Sequence, residues 1–506
     1  LTLFSRVLGF LRDMLSAAIF GTGIVYDAFL LAFIIPNLFR KLLAEGALSA
    51  AFIPVYADYI KQGDREKSAR FLSSVFTVLF VVLAAIAIAG AIAGSGLGFG
   101  ISAPGKWKLT FHLFPVMIIY VIPICLVGLA AGILNSHNHF AMPAFAPVML
   151  NVLWIAGLSV AWLLSGEIST MIIILALTVV LAGFVQFLLQ VPVMKRRGVS
   201  LRLMPVKTAL KHPGVRQVEK LWLPVAFGLA IFQVNTLGDS LIAMIFVKDG
   251  GGVSVLYYAN RMIQFPLALI GIAVATALFP TLSRLLSEGK IKKFALTFNE
   301  SMLGVMFVTI PAAVGLAVLS TPVIRLIFER GKFDAFSTSR TSLTLVFYCA
   351  TIVSGSVFHL LTRAFYSLKD TRTPVKIGAI VVALNVLLNL ILVWPLQEAG
   401  LALATSITSV INSVALLLIL KKRAPDIDTR GIIRGFIIFC LVAAVMGAAV
   451  YGCLHLLPGN GRIFSKLISV FIPILAGIII VFVLSLLLRL PELKFMLGAI
   501  RRRRKS

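Results

Sequence analysis

The sequence predicts an all-α polytopic membrane protein with about 14 transmembrane helices. Two six-helix lobes are related by a pseudo-two-fold axis, and two extra helices follow at the C-terminal end. Three observations carry that prediction. The 506 residues are 60% hydrophobic, with a mean hydropathy of +1.03, more apolar surface than a water-exposed fold can hide. Apolar runs of about 20 residues, long enough to cross a bilayer as a helix, recur from end to end. Landmarks of the first half also return in the second at a nearly constant offset.

Taken in order, the spans lie near 5–24, 28–58, 70–94, 109–134, 141–164, 169–194, 221–247, 253–282, 294–320, 341–365, 374–396, 399–420, 432–456 and 465–488. Residues 1–195 form a first lobe, 196–220 a basic linker punctuated by proline, and 221–422 a second lobe. The last two spans occupy 423–489 and a basic tail 490–506. The repeat rests on Asp13 with Asp239 and Pro54 with Pro280, each 226 apart, and on Ser136 with Ser367 and Pro143 with Pro374, each 231 apart. Six is an even number, so both lobes enter the membrane the same way, with the axis along its normal and a cleft between them. Spans thirteen and fourteen are nearly free of buried charge and suited to lipid. They either complete the bundle or border a groove for an acyl chain.

The 46 Lys and Arg against 19 Asp and Glu give a net charge of +27. Their placement argues against nucleic acid. They concentrate in the loops of one side and in the tail, which sets both termini in the cytoplasm. The loop holding Arg325, Arg330, Lys332 and Arg340 is the exception, since it falls outside. The tail Arg501–Lys505 suits anionic headgroups, or is simply solvated. Cys125, Cys349, Cys440 and Cys453 lie in apolar runs without CxxC spacing and read as packing residues. The first segment carries Arg12 and Asp13 and reads as a retained span rather than a cleavable leader. There is no GxxxxGK[ST] loop, which weighs against ATP hydrolysis, and no external loop offers a paired-carboxylate or nucleophile site.

The charges inside spans carry the functional reading. Pro36 to Gly46 lies within a membrane-length apolar run yet holds Arg40, Lys41 and Glu45. Each charge near mid-membrane costs roughly 2.5–3.5 kcal/mol on insertion scales, so these residues face protein or water. Helical spacing puts Asn37, Lys41 and Glu45 on one stripe, with Arg40 to its side. On span one, Arg6, Gly9 and Asp13 share a face and Arg12 lies beside it. Arg261 opens span eight. Arg6, Arg12, Arg40 and Arg261 suit an anion such as a diphosphate, because the guanidinium fork donates two parallel hydrogen bonds and stays charged. The competing reading is structural ion pairing, for example Arg12 with Asp27 or Lys41 with Glu45, and for Arg6 simple obedience to the positive-inside rule. Asp239, Asn385, Asn389 and Thr405 offer oxygens to a small hard cation, or form a hydrogen-bond cluster between helices. Gly46, Pro54, Pro115, Pro123, Pro143, Pro147, Pro266, Pro280 and Pro311 allow bending within spans.

Ser5 to Asp13, Asp27-Ala28-Phe29, Pro36 to Lys41 and Ala44 to Ala47 together resemble the N-terminal signature of the MurJ (MviN) lipid II flippase family. Gly132 to Ser136, Tyr258 to Arg261 and Thr373 to Lys376 are similar to it too, so the resemblance runs through nearly the whole chain. It implies the fold of the MOP exporter superfamily, with two lobes and two further helices beside a lipid-tail groove. It implies a transporter rather than an enzyme, in the bacterial inner membrane. The implied cargo is lipid II, undecaprenyl-diphosphate carrying the peptidoglycan precursor, with cell-wall synthesis enzymes as partners. It implies functional roles for Arg12, Arg40 and Arg261 in the cavity, and for Arg6, Asp13, Asp27, Lys41 and Glu45 around them. It implies sodium at Asp239, Asn385, Asn389 and Thr405, although an aspartate can stand at the position of Asn389, so one carboxylate is missing here. The alternative is a related flippase or exporter for another lipid-linked oligosaccharide or a drug. A cationic cleft disfavours a cationic drug. A scaffold that moves nothing has no use for charges at mid-membrane.

Overall fold

The computed structural model describes residues 2–45, 47–100, 105–164, 166–456 and 463–493. Gly46, the Glu45 side chain and the tail Arg501–Lys505 lie outside the described residues. Among the described residues the regular structure is helical, and the one bridge joins Arg330 to Phe333. Among the described residues twelve helices are long and apolar enough to cross a membrane by length and composition. The first two predicted spans fall outside that twelve because one carries Arg6, Arg12 and Asp13 and the other is interrupted.

The chain divides into two compact units, Leu1–Met244 with Asp249–Ser254, and Ile245–Lys248 with Val255–Ser506. The repeat would divide the chain before the seventh span, whereas packing leaves most of that span with the first unit. In the first unit α1 is Thr2–Phe20 and α2 is Ile24–Phe39; a π-helical turn, Arg40–Glu45, leads to α3, Ala47–Lys61. Then follow α4 (Arg65–Gly100), α5 (Gly105–Ile119), α6 (Val121–Ser136), α7 (Ala141–Leu164), α8 (Ile168–Arg196), the short α9 (Val206–Lys211) and α10 (Pro213–Phe246). α7 packs on α8 and α1, α2 on α5, and α6 on α8. α8 comes close to α7 at Gly157, where a Cβ would stand 2.6 Å from the Thr178 side chain. In a bilayer, where lipid tails are as apolar as leucine, such small-residue contacts supply the packing that hydrophobicity cannot.

α11 (Gly252–Pro266) starts in the first unit, which keeps residues 252–254, and from Val255 on belongs to the second. It runs into a second π-helical turn, Leu267–Ile272, then α12 (Ala273–Ser287) and α13 (Ile291–Val318). α14 (Ser320–Phe328), α15 (Ala335–Ser367), α16 (Arg372–Leu396), α17 (Glu398–Arg423), α18 (Thr429–Leu456) and α19 (Ile463–Leu487) complete the second unit. α15 packs against α13 and α17 around Phe298, Met302, Leu360, Phe365 and Leu416, all fully buried. α18 and α19 expose a run of large apolar side chains, among them Leu441, Val445, Phe471 and Ile478, as lipid-facing helices do.

Helix starts are fixed by aspartates in the connections. Asp64 accepts from the Lys67 amide at 3.0 Å, Asp334 from Ser337 at 2.8 Å, Asp370 from Thr373 at 3.0 Å and Asp428 from Gly431 at 2.9 Å. Each satisfies an orphan donor of a first turn, worth about 1 kcal/mol per cap. Two cations of the loop that departs from the expected charge bias have ion-pair partners. Arg325 pairs with Glu329 at 3.1 Å, where Lys466 of α19 reaches the same carboxylate at 3.4 Å, and Arg340 pairs with Glu398 at 2.6 Å. The Lys466 and Arg340 pairs join separate helices, so they hold packing together whichever side of the membrane they face.

Candidate functional site

Arg12 is the best-held charge in the first unit. Its Nε and Nη2 donate to Asp13 Oδ1 at 3.0 and 2.7 Å, and Nη1 donates to Asn151 Oδ1 at 3.1 Å. Its guanidinium carbon lies 4.6 Å from the centre of the Trp154 ring. Arg12 is 9% exposed and Asp13 is fully buried. The local cause is helical geometry. Asn151 and Trp154 are three apart on α7 and share the face turned to α1. Asn151 is itself fixed, since its Nδ2 donates to the Ser5 carbonyl at 3.0 Å, and Trp154 Nε1 donates to Ser16 Oγ at 3.2 Å. Phe29 and Phe33 of α2 stand edge-on to the Trp154 ring at 5.5 and 5.7 Å. A desolvated cation over a tryptophan face gains about 2 kcal/mol or more. The guanidinium is therefore set in an aromatic, water-poor wall with a carboxylate beside it.

The pairing anticipated between Arg12 and Asp27 is not the one formed. Asp13 takes Arg12, because it adjoins it on the same helix. Asp27 Oδ1 instead accepts the Ser254 amide at 2.8 Å and its hydroxyl at 2.7 Å. Asp27 is 2% exposed and thus caps the first turn of α11 from α2. The chain reaches that cap through Gly250 at φ +68°, packed against Ile24 so closely that a Cβ would collide with it.

Arg40 and Lys41 are half-buried at the start of the π-helical turn, and Arg40 Nε donates to Asn37 Oδ1 at 2.7 Å. The stripe expected through Asn37, Lys41 and Glu45 assumed α-helical spacing, whereas the backbone from Arg40 to Glu45 is a π turn with wider spacing. Trp222 Nε1 donates to the Leu42 carbonyl at 3.2 Å, meeting an acceptor inside the irregular turn. Arg6 is exposed on α1. Arg261 is half-buried on α11, in the second unit.

The four proposed cation ligands are divided between the units. Asp239, half-buried on α10, lies in the first and is 3.5 Å from Asn235 Nδ2. Asn385, Asn389 and Thr405 lie in the second. Asn389 Nδ2 donates to Asn385 Oδ1 at 2.8 Å, and Asn385 Nδ2 reaches Thr408 Oγ1 at 3.1 Å and Thr405 Oγ1 at 3.4 Å. This ladder ties α16 to α17 by polar contacts, as the hydrogen-bond reading anticipates. The second-unit members of this set offer neutral oxygens only, and Asp239 supplies its one carboxylate from the first unit. Among the described residues no three His, Cys, Asp or Glu gather as metal ligands.

Sequence reasoning missed Asn151, Trp154, Ser254 and Trp222. Asn151 had a usable signal, a strong polar side chain inside an apolar span, and Trp154 follows from it by helical spacing. Ser254 and Trp222 had none, because only packing brings them to Asp27 and Leu42.

The helical architecture is that of MOP-superfamily transporters. An inward-facing multidrug resistance MATE family transporter of that superfamily matches with a TM-score of 0.70 over 83% of this chain and 95% of its own; at 16% identity the likeness speaks for the fold alone. A solved structure of lipid II flippase MurJ in an inward closed conformation matches with a TM-score of 0.79 at 27% identity, over 96% of this chain and 98% of that one. The family model for lipid II flippase MurJ matches residues 16–472. A probable lipid II flippase MurJ of Vibrio cholerae is 36% identical over 428 residues, 82% of this chain and 80% of its own. The lipid II flippase MurJ of Burkholderia cenocepacia is 32% identical over 459 residues, 89% and 88% of the two chains. The chain belongs to the MurJ family.

Proposed function

We propose that this protein is a lipid II flippase, moving the undecaprenyl-diphosphate-linked peptidoglycan precursor from the inner to the outer leaflet of the bacterial inner membrane by alternating access. Membership of the MurJ family carries this reading. The Arg12 pocket supplies chemistry to match: a guanidinium held with its fork fixed binds diphosphate oxygens without first being ordered. Asp13 balances the charge of Arg12 when no head group is present and is displaced as counter-ion when a diphosphate arrives. Arg40 and Arg261 carry the same function from their own units, with Arg6, Lys41 and Glu45 as further head-group contacts. Asp27 holds the first turn of α11 in place during the cycle. The polyprenyl chain stays in lipid along α18 and α19. Both termini lie in the cytoplasm, and cell-wall synthesis enzymes receive the product. Membrane potential acting on the cationic residues drives the cycle, with sodium bound weakly if at all. Complementation of a flippase-depleted bacterium, with lipid II orientation measured, tests the reading. Restored growth with lipid II reaching the outer leaflet is expected; an intact, inserted protein that leaves lipid II inside would overturn it.

A further inference from the structure

The connection between α8 and α10 is not a free loop. Residues 201–205 have no helical structure and are tied to α4, with the Arg202 amide donating to Ser73 Oγ at 3.3 Å and the Met204 amide to Thr77 Oγ1 at 3.0 Å. Ser74 Oγ also reaches Met204 Sδ at 3.6 Å. Between these anchored amides Leu203 is 63% exposed, and the Arg202 side chain is exposed beside it. The strap crosses α4 just past its charged first turns, Arg65 to Arg70, where the helix becomes apolar at Phe71. That is the level of the headgroups. Hydroxyls that satisfy backbone N–H groups there are what a segment needs where water is scarce.

α9 continues the pattern. Ala209 is fully buried, and α9 packs against α4. Val206 and Leu210, four apart, form an exposed apolar row, and Lys207 and Lys211 form an exposed cationic row next to it. The apolar row thus lies between the protein-facing side and the lysines. Lys195, Arg196, Arg197 and Arg202 add charge of one sign, and from Lys195 to Val218 the segment has no carboxylate. Exposed leucines flanked by cations, pinned at headgroup level, suit an anionic lipid surface and repel a basic partner.

We infer that residues 199–211 form an in-plane docking element that binds acidic phospholipid headgroups through Arg202, Lys207 and Lys211 while Leu203, Val206 and Leu210 enter the acyl boundary. Each cation removed should lower the docked fraction ratio by roughly fivefold. The test uses the full chain in nanodiscs, with native cysteines replaced and a fluorophore on Leu203→Cys. Brominated acyl chains should quench the probe in discs containing phosphatidylglycerol. They should quench it much less in pure phosphatidylcholine, or after Arg202→Gln, Lys207→Gln and Lys211→Gln together. A probe on Glu288→Cys, in an exposed connection, serves as the water-facing reference. Quenching at 203 no greater than at 288 would overturn the inference. So would equal quenching in the two lipids, which would leave only apolar insertion. Positions 202, 203, 207, 211 and 288 are exposed. Cys125 and Cys349 are buried, so the cysteine-free parent is compared with the unaltered protein by thermal melting before the probes are added, and flipping is not the readout.

Discussion

Arg12 shows what a single residue contributes. Its charge in an apolar span is visible in the sequence; the pocket that fixes it is not, because Asn151 is 139 positions away. Arg12→Ala should abolish flipping while the protein inserts normally, and Arg12→Lys should keep part of it, since charge survives and the fork is lost. Asn151→Ala removes a hydrogen bond to a charged group, about 1.5–3 kcal/mol. Flipping should fall by roughly one to two orders of magnitude with unchanged expression. Trp154→Leu should act in the same direction through the lost cation–π contact. Wild-type flipping in Asn151→Ala and Trp154→Leu together would show that Arg12 needs no holding. Asp27→Ala should lower thermal stability, as the Ser254 amide and hydroxyl lose a charged acceptor; Asp27→Asn should lower it less.

At the scale of elements, hydropathy found where helices run, and the loop aspartates marked where they begin. Register inside the second span was not legible. Proline and glycine near 36 to 54 announced irregularity, but not that six residues would take the π form. That depends on which carbonyls find outside partners, such as Leu42 with Trp222. The Arg340–Glu398 pair was equally hidden, 58 positions apart on α15 and α17. Its side chains are 14% and 5% exposed, so removing one partner strands a buried charge. Glu398→Ala should cost about 3–5 kcal/mol, read as a large drop in melting temperature in detergent. The double change Arg340→Met with Glu398→Leu should recover most of it. A double variant no more stable than the single one would mean the carboxylate does something besides pairing.

For the whole molecule, composition and repeat predicted a helical membrane protein, because every span must satisfy its own backbone in lipid and so announces itself; the family rests on the resemblance of motifs such as Ser5 to Asp13 and Pro36 to Lys41. Two lobes were expected with a break at 196–220, whereas the packed units part near 244–255, which only helix-to-helix contacts reveal. Topology is testable directly. A cysteine at Lys248, exposed in the connection that holds Gly250, should react with an impermeant reagent only from outside, and cysteines at the termini only from inside. Labelling of position 248 solely from the cytoplasm would reverse the orientation. Coupling separates in flipping assays with sodium replaced by potassium at fixed potential. Activity should persist, because one charge crossing the full field is worth roughly 2.3 kcal/mol per 100 mV. Loss of activity with the potential intact would instead make sodium the drive.

Among the described residues the two π-helical turns, Arg40–Glu45 and Leu267–Ile272, have the same length and lie 227 positions apart, one more than the 226 that separates Pro54 from Pro280. A π turn holds one more residue than the α turn it replaces. Both halves therefore carry the same local widening just ahead of the helix that bears one member of that proline pair. Arg40 opens one turn and Leu267 the other, so the same backbone irregularity carries a cation in the first unit and an apolar side chain in the second.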